Sequence, residues 1–283
     1  LKRLGIKRLW GETLASKTNK KPRRIIALLT DFGTRDWFVS SMKGVIRRIA
    51  CDAEIVDITH EVEPHNILAA SFILESCYRD FSEGTIFCCV VDPGVGTARR
   101  RLAATDGSYF FISPDNGLLT GVESQAETFL VYSIENKKLM LEGKGTTFEG
   151  RDVFAPAAAH LAEGKPLEDF GALCEDMVRL NIPPPSKTSK GVLRGEVLYI
   201  DRFGNLITNI SAEDLPKKFD ARSAVISIRR NKIKGLAAGY ADVPCGALAA
   251  YWGSTGRLEI AANLNSAADI LKSAIGTKIE LIF

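Results

Sequence analysis

Residues 85–91, Thr-Ile-Phe-Cys-Cys-Val-Val, form a continuous apolar run, and two further short runs precede it at 24–30 and 54–58. A strand with one face in water alternates apolar and polar side chains. A run without that alternation is a strand buried on both faces. Between the runs lie two segments of helical spacing. Residues 36–50 place Phe38, Val39, Met42, Val45, Ile46 and Ile49 at such intervals, and residues 66–80 do the same with Ile67, Ala70, Phe72, Ile73, Leu74 and Cys77. Strand, helix, strand, helix, strand is the pattern of a parallel sheet with helices on its faces. A further strand is expected over 107–113 and an alanine-rich helix over 152–163.

The character changes near residue 181. Asn181 to Gly191 is polar and proline-rich and reads as an exposed connection. Beyond it, short β-like runs at 195–200, 205–210, 224–228, 248–252, 257–261 and 278–283 alternate with turn residues, the pattern of a small barrel or sandwich. The expected organisation is a basic extension over 1–24, an α/β domain with a mainly parallel sheet over 25–182, a linker over 183–191, and a smaller β-barrel-like domain over 192–283.

The net charge of +3 comes from the extension, where nine Lys/Arg stand against Glu12 alone; the remainder carries 28 basic and 33 acidic residues. That remainder has no electrostatic footprint for nucleic acid. The extension itself reads as a solvated terminal segment, a nucleic-acid arm or a transit-like segment. No apolar run reaches 18 residues, so no membrane helix is expected. Six cysteines without a CxxC pair or a Cys/His cluster point to no metal site and to buried, reduced thiols in a cytoplasmic protein.

In an open α/β sheet, ligands bind beyond the carboxyl ends of the strands. Three loops fall there: Asp31-Phe32-Gly33, Asp92-Pro93-Gly94-Val95-Gly96-Thr97 and Asp115-Asn116-Gly117. Asp31 can accept hydrogen bonds from a ribose diol, or serve as a turn or N-cap aspartate. Asp92 precedes Pro93, which holds it extended, and two glycines that let the backbone approach a ligand. Arg99 is close enough to fold back and orient Asp92; a glycine turn with a surface ion pair reads equally well from the residues alone. His65 can stack on a base or lie on the surface. Asp201-Arg202-Phe203-Gly204-Asn205 is a hairpin turn as a bare pattern, and Trp252-Gly253-Ser254-Thr255-Gly256 is another turn.

Taken in order, Thr30-Asp31-Phe32-Gly33, Val56-Asp57-Ile58-Thr59-His60, Val91-Asp92-Pro93-Gly94-Val95-Gly96-Thr97-Ala98-Arg99-Arg100, Pro114-Asp115-Asn116-Gly117, Thr147 to Pro156, Phe203-Gly204-Asn205 and Leu258-Glu259-Ile260 resemble the S-adenosyl-L-methionine (SAM) hydroxide adenosyltransferases, hydrolytic relatives of the SAM-dependent fluorinase and chlorinase. The resemblance spans roughly residues 25–283. It implies hydrolysis of SAM to adenosine and L-methionine, SAM being the substrate and no cofactor being needed. It also implies a homotrimer with SAM held between one subunit's N-terminal domain and its neighbour's C-terminal domain. Asp31 would hold the ribose, with Phe32, His65, Asn116 and Phe148 beside the substrate. Asp201, Phe203, Asn205, Trp252, Ser254, Asn263 and Leu264 would close on it from the second domain. Asp92, Arg99 and Glu149 would handle the water. The halogenating relatives have tyrosine where Asp92 stands, so Asp92 argues for water over halide. The family's histidine between Phe148 and Gly150 is replaced by Glu149, which could act as base, or pair with Arg99 or Arg151. Alternatives are therefore an impaired or non-catalytic SAM- or adenosine-binding protein, and a SAM-dependent halogenase.

Overall fold

The computed structural model describes residues 24–142, 147–188 and 191–283. All of the expected basic extension but Arg24 lies outside the described residues. Seven strands build the first sheet: β1 (Ile25–Thr30), β2 (Glu54–Thr59), β3 (Ile86–Val90), β4 (Arg101–Thr105), β5 (Phe110–Pro114), β6 (Leu130–Ser133) and β7 (Leu173–Cys174). Their order is β2-β1-β3-β5-β4-β6-β7. β2, β1, β3 and β5 run parallel, and β4, β6 and β7 continue antiparallel.

The runs of β1 and β3 are buried on both faces, with side chains alternating between two cores, while the edge strand β2 is only half-buried. Ile26, Leu28, Ile86, Cys88 and Val90 face one core; Ala27, Leu29, Phe87, Cys89 and Val91 face the other. The first core is covered by α1 (Phe38–Ile49), through Met42, Val45 and Ile46. The second is covered by α2 (Ile67–Cys77), through Ala69, Ala70 and Leu74. The Asn66 side chain caps α2 by accepting from Ala69 N at 2.9 Å. The short α3 (Thr120–Ser124) lies on the α2 side, and α4 (Ala155–Ala162) packs its alanines with α1. Fully buried Phe87 and Phe111 stack at 5.5 Å, each contributing about 1.5–3 kcal/mol by burial.

The second sheet holds β8 (Ser186–Lys187), β9 (Val192–Ile200), β10 (Leu206–Ser211), β11 (Val225–Ile228), β12 (Asn231–Lys234), β13 (Leu248–Trp252), β14 (Arg257–Ala262) and β15 (Lys278–Ile282). The path β12-β11-β15-β9-β10-β14-β13 curls until its ends approach. Ala237, just past β12, donates to the Ala250 carbonyl on β13 at 2.8 Å. The result is a nearly closed barrel around Leu193, Val197, Leu206, Ile226, Leu258 and Ile260, with α5 (Ala267–Leu271) against it.

The stretch expected as an exposed linker makes contacts with the barrel. Ser186–Lys187 pairs with β9, and Asn209 Nδ2 donates to the Pro183 carbonyl at 2.8 Å. The barrel docks on α2, where Phe72 stacks on Tyr199 at 4.9 Å and Arg257 pairs with Glu75 at 2.9 Å. The six cysteines are free. Burial pushes the Cys88 thiol up to about 12, but Cys51 and Cys245 are exposed, against the expectation of burial. Both follow helix or loop ends rather than apolar runs. Among the described residues no helix is long and apolar enough to cross a membrane.

Candidate active site

Because β1, β2, β3 and β5 are parallel, their carboxyl ends share one edge of the sheet, and the loops bearing Asp31, His60, Asp92 and Asn116 converge there. Asp31 is not an N-cap: Trp37 holds that position on α1. Its Oδ2 accepts from His65 N at 2.9 Å, and its Oδ1 has no protein partner among the described residues. His65 has φ +68°, a conformation costly for a residue with a Cβ, and its side chain is exposed. The Asp31 loop is buttressed from below. Thr30 Oγ1 accepts from Phe32 N at 3.2 Å and lies 2.8 Å from Nδ1 of buried His60; His60 Nε2 is 3.0 Å from Asp57.

Asp92 leaves the end of β3 and is gripped by Arg99. Nε donates to Oδ1 at 2.8 Å and Nη2 to Oδ2, while Gly94 N donates to Oδ1 at 3.2 Å. A carboxylate offers about four acceptor positions, so three are filled and one, on Oδ2, stays open. The surface ion pair considered from sequence is excluded, because the Asp92 and Arg99 side chains are 4% and 10% exposed. Arg99 Nη2 also donates to Glu149 Oε2, and Arg101 donates to Glu149 Oε1 through Nη2 and through Nε at 3.0 Å. Arg151, one expected partner of Glu149, forms a fork with Asp152 instead, at 2.7 and 2.8 Å. Burial of Glu149 works to raise its pKa. The hydrogen bonds from Arg101 and the charge and hydrogen bond of Arg99 outweigh that, holding it below the usual carboxylate range.

Arg101 was missed in the sequence, though a signal existed. In Arg99-Arg100-Arg101, side chains two apart share a side of an extended chain. Arg99 and Arg101 accordingly turn to Glu149, while Arg100 turns to Asp115 and Asp176 at 2.8 and 2.9 Å. Four charges thus form a balanced quartet, Asp92–Arg99–Glu149–Arg101.

Glu149 reaches this point because the helix behind it is irregular. Gly150–Phe154 is a π-helical turn running into α4. Pro156 cannot donate to Asp152 O, which accepts from Leu141 N at 2.8 Å instead. Gly150 lets this turn lie against Phe32, since a Cβ there would meet the ring at 3.1 Å. The rings of Phe32, Phe38 and Phe148 lie within 5.2–6.2 Å of one another, an apolar wall beside the quartet. Asn116 has both ends of its amide engaged, with Nδ2 on Val91 O at 2.8 Å and Oδ1 on Leu118 N at 3.2 Å. It braces the strand that ends in Asp92.

The remaining expected residues gather on the barrel. The hairpin between β9 and β10 is a turn organised by Asp201, whose Oδ1 accepts from Phe203 N and Asn205 N at 2.9 Å each and whose Oδ2 accepts from Asn205 Nδ2 at 2.7 Å. Gly204, with φ +81°, lies against Ser266, bringing this turn beside the Asn263–Ser266 loop. Asn263 Nδ2 donates to Val243 O at 2.8 Å, Trp252 is half-buried in the barrel core, and Ser254 is exposed. Phe203 and Leu264 are 77% and 88% exposed, and Leu264 has φ +56°. Among the described residues, no hydrogen bond, ion pair or ring contact joins this barrel group to Asp31, Asp92 or Glu149.

Fold and site define the class: an α/β protein whose ligand loops stand at the carboxyl edge of a parallel half-sheet and carry a buried acid–arginine cluster, followed by a small barrel. The chain belongs to the SAM hydroxide adenosyltransferase family, whose N-terminal domain matches residues 26–171 and whose C-terminal domain matches residues 195–280. It is 37% identical over 268 residues to the (R)-S-adenosyl-L-methionine hydrolase of Thermus thermophilus, covering 92% of this chain and all of the relative. It is 36% identical over 219 residues to a fluorinase of an Actinoplanes species, covering 68% of this chain and 74% of the relative. The crystal structure of an uncharacterized conserved protein from Thermotoga maritima superposes with a TM-score of 0.85 at 40% identity, covering 91% of this chain and all of that one.

Proposed function

We propose that the chain hydrolyses SAM to adenosine and L-methionine. The observation that carries this reading is the Arg99 fork on Asp92, which orients the carboxylate and leaves one acceptor position free on Oδ2. The sulfonium of SAM is already a cationic leaving group, so displacement at the ribose C5′ needs an aligned, desolvated oxygen more than a strong base. Water forms the C5′–O bond as the C5′–S pair returns to sulfur, and its proton passes to Asp92. Asp31 holds the ribose hydroxyls through its free Oδ1, and Phe32 and Phe148 exclude water around the sugar. An anion at Asp92 disfavours halide as nucleophile. The hydrolase name of relatives aligned over nine-tenths of the chain supports the same reading. Free cysteines, two of them exposed, fit a cytoplasmic setting.

The test is a product assay. Purified protein incubated with SAM should release adenosine and methionine in equal amounts. Methylthioadenosine, or a 5′-halogenated adenosine with excess chloride or fluoride, would overturn the reading.

The site is completed by the barrel of a neighbouring copy in a homotrimer. Two separate groups of substrate residues support this, as do exposed Phe203 and Leu264 on the barrel and Trp37, 65% exposed, on the first domain. If so, an Asp92→Asn variant and a Ser254→Trp variant, each inactive alone, should regain about a quarter of wild-type activity when unfolded and refolded together in equal amounts, as random mixing in a ring gives. No recovery would place each site within one subunit.

A further inference from the structure

The two basic side chains on Glu149 do different work, and the second has no part in the mechanism above. Glu149 and Asp92 both draw on Nη2 of Arg99. A buried carboxylate with that single partner would compete with Asp92 for the guanidinium. Arg101 removes the competition by occupying Oε1 of Glu149 through Nε and Nη2, so Oε2 alone is left for Arg99. Arg99 can then keep its fork on Asp92.

Resting on the hydrolase reading, we propose that Arg101 is a positioning residue: it holds Glu149 as a fixed anion behind Arg99, so that Arg99 stays on Asp92 and Asp92 alone takes the proton from water. The charged groups facing Glu149 are Arg99 and Arg101; Asp92 lies across Arg99, and Arg151 is occupied by Asp152. Glu149 is thereby a support and not the base. This is how the chain accommodates a carboxylate at the position where the family resemblance implies histidine.

The test is a kinetic cycle on the intact chain with SAM as substrate. Arg101→Met should lower kcat by about 10- to 100-fold, the cost of a misplaced catalytic group, with KM changed less than about threefold. Adding Glu149→Gln to Arg101→Met removes the competing anion and should restore kcat to within about fivefold of wild type, the non-additivity expected of coupled neighbours. Should Arg101→Met not fold, Arg101→Lys is read instead. It keeps the charge but loses the fork, and kcat should fall several-fold, by roughly 3- to 10-fold.

Wild-type kcat in Arg101→Met or Arg101→Lys overturns the inference, and so does a double variant no better than Arg101→Met. These results leave the hydrolase reading standing as long as the wild type releases adenosine. A wild type that releases none overturns that reading and this inference with it.

Discussion

Asp92→Asn will lower kcat for adenosine release by about 1,000-fold, within the range general-base removal produces, and will leave KM for SAM nearly unchanged. Asparagine has the shape of aspartate, and its amide oxygen still accepts from Arg99 and from Gly94 N. What it loses is Oδ2: an Nδ2 there cannot take the proton of water, and it meets Arg99 Nη2 donor to donor. KM is spared because, on the proposed reading, the ribose is held by Asp31, on a different loop. Initial rates at saturating SAM, by chromatography of adenosine, check this. A variant within tenfold of wild type would mean that the proton leaves by another group, with Glu149 the first to examine.

Arg99→Met will have the largest effect on stability, a loss of roughly 3–5 kcal/mol at pH 8, as when one partner of a buried ion pair is removed. Asp92 and Glu149 are 4% and 8% exposed and would face each other with only Arg101 to offset them. The two proteins should respond to pH in opposite directions. In wild type the Glu149 pKa is depressed, so its contribution is present above the unfolded value near 4.3 and is lost as pH falls through the folded value. In Arg99→Met, burial pushes the Glu149 pKa up with only Arg101 left to oppose it. The folded state then binds protons more tightly, and the variant regains stability as pH falls from 8 towards 5. Thermal melts from pH 8 down to about 3, which spans both windows, decide it. Parallel pH trends in the two proteins would show that the quartet is not what Arg99 holds together.

β1 and β3 at the centre of the sheet were legible because burial on both faces leaves a direct mark, as in Thr85 to Val91 with no charged residue. β4 left none. Its five residues are two-fifths alanine, a poor strand former, and follow two arginines that read as loop. β6 and β7, four and two residues long, owe their existence to neighbours already in place. The loops bearing Asp31, Asp92 and Asn116 could be placed because strand ends locate them. Within the quartet the contacts of Arg99 were anticipated, but that of Arg101 with Glu149 was not, since the two stand 48 positions apart and meet only when β4 and the turn before α4 are both laid down. The bracing contacts of Asn116 were not legible for a related reason: an amide looks the same in sequence whether it faces a ligand or braces a strand.

The widened turn at Gly150–Phe154 has a meaning for how this site can vary. One additional residue in a single turn rotates what precedes it by roughly 100° relative to a regular helix. The alanine face of α4 and the side chain at position 149 are therefore out of phase, and each can be chosen separately. Packing dictates small residues from Ala155 onward, while position 149 answers only to the charges around it. A change of residue type there is local in consequence, provided Arg99 and Arg101 change in kind.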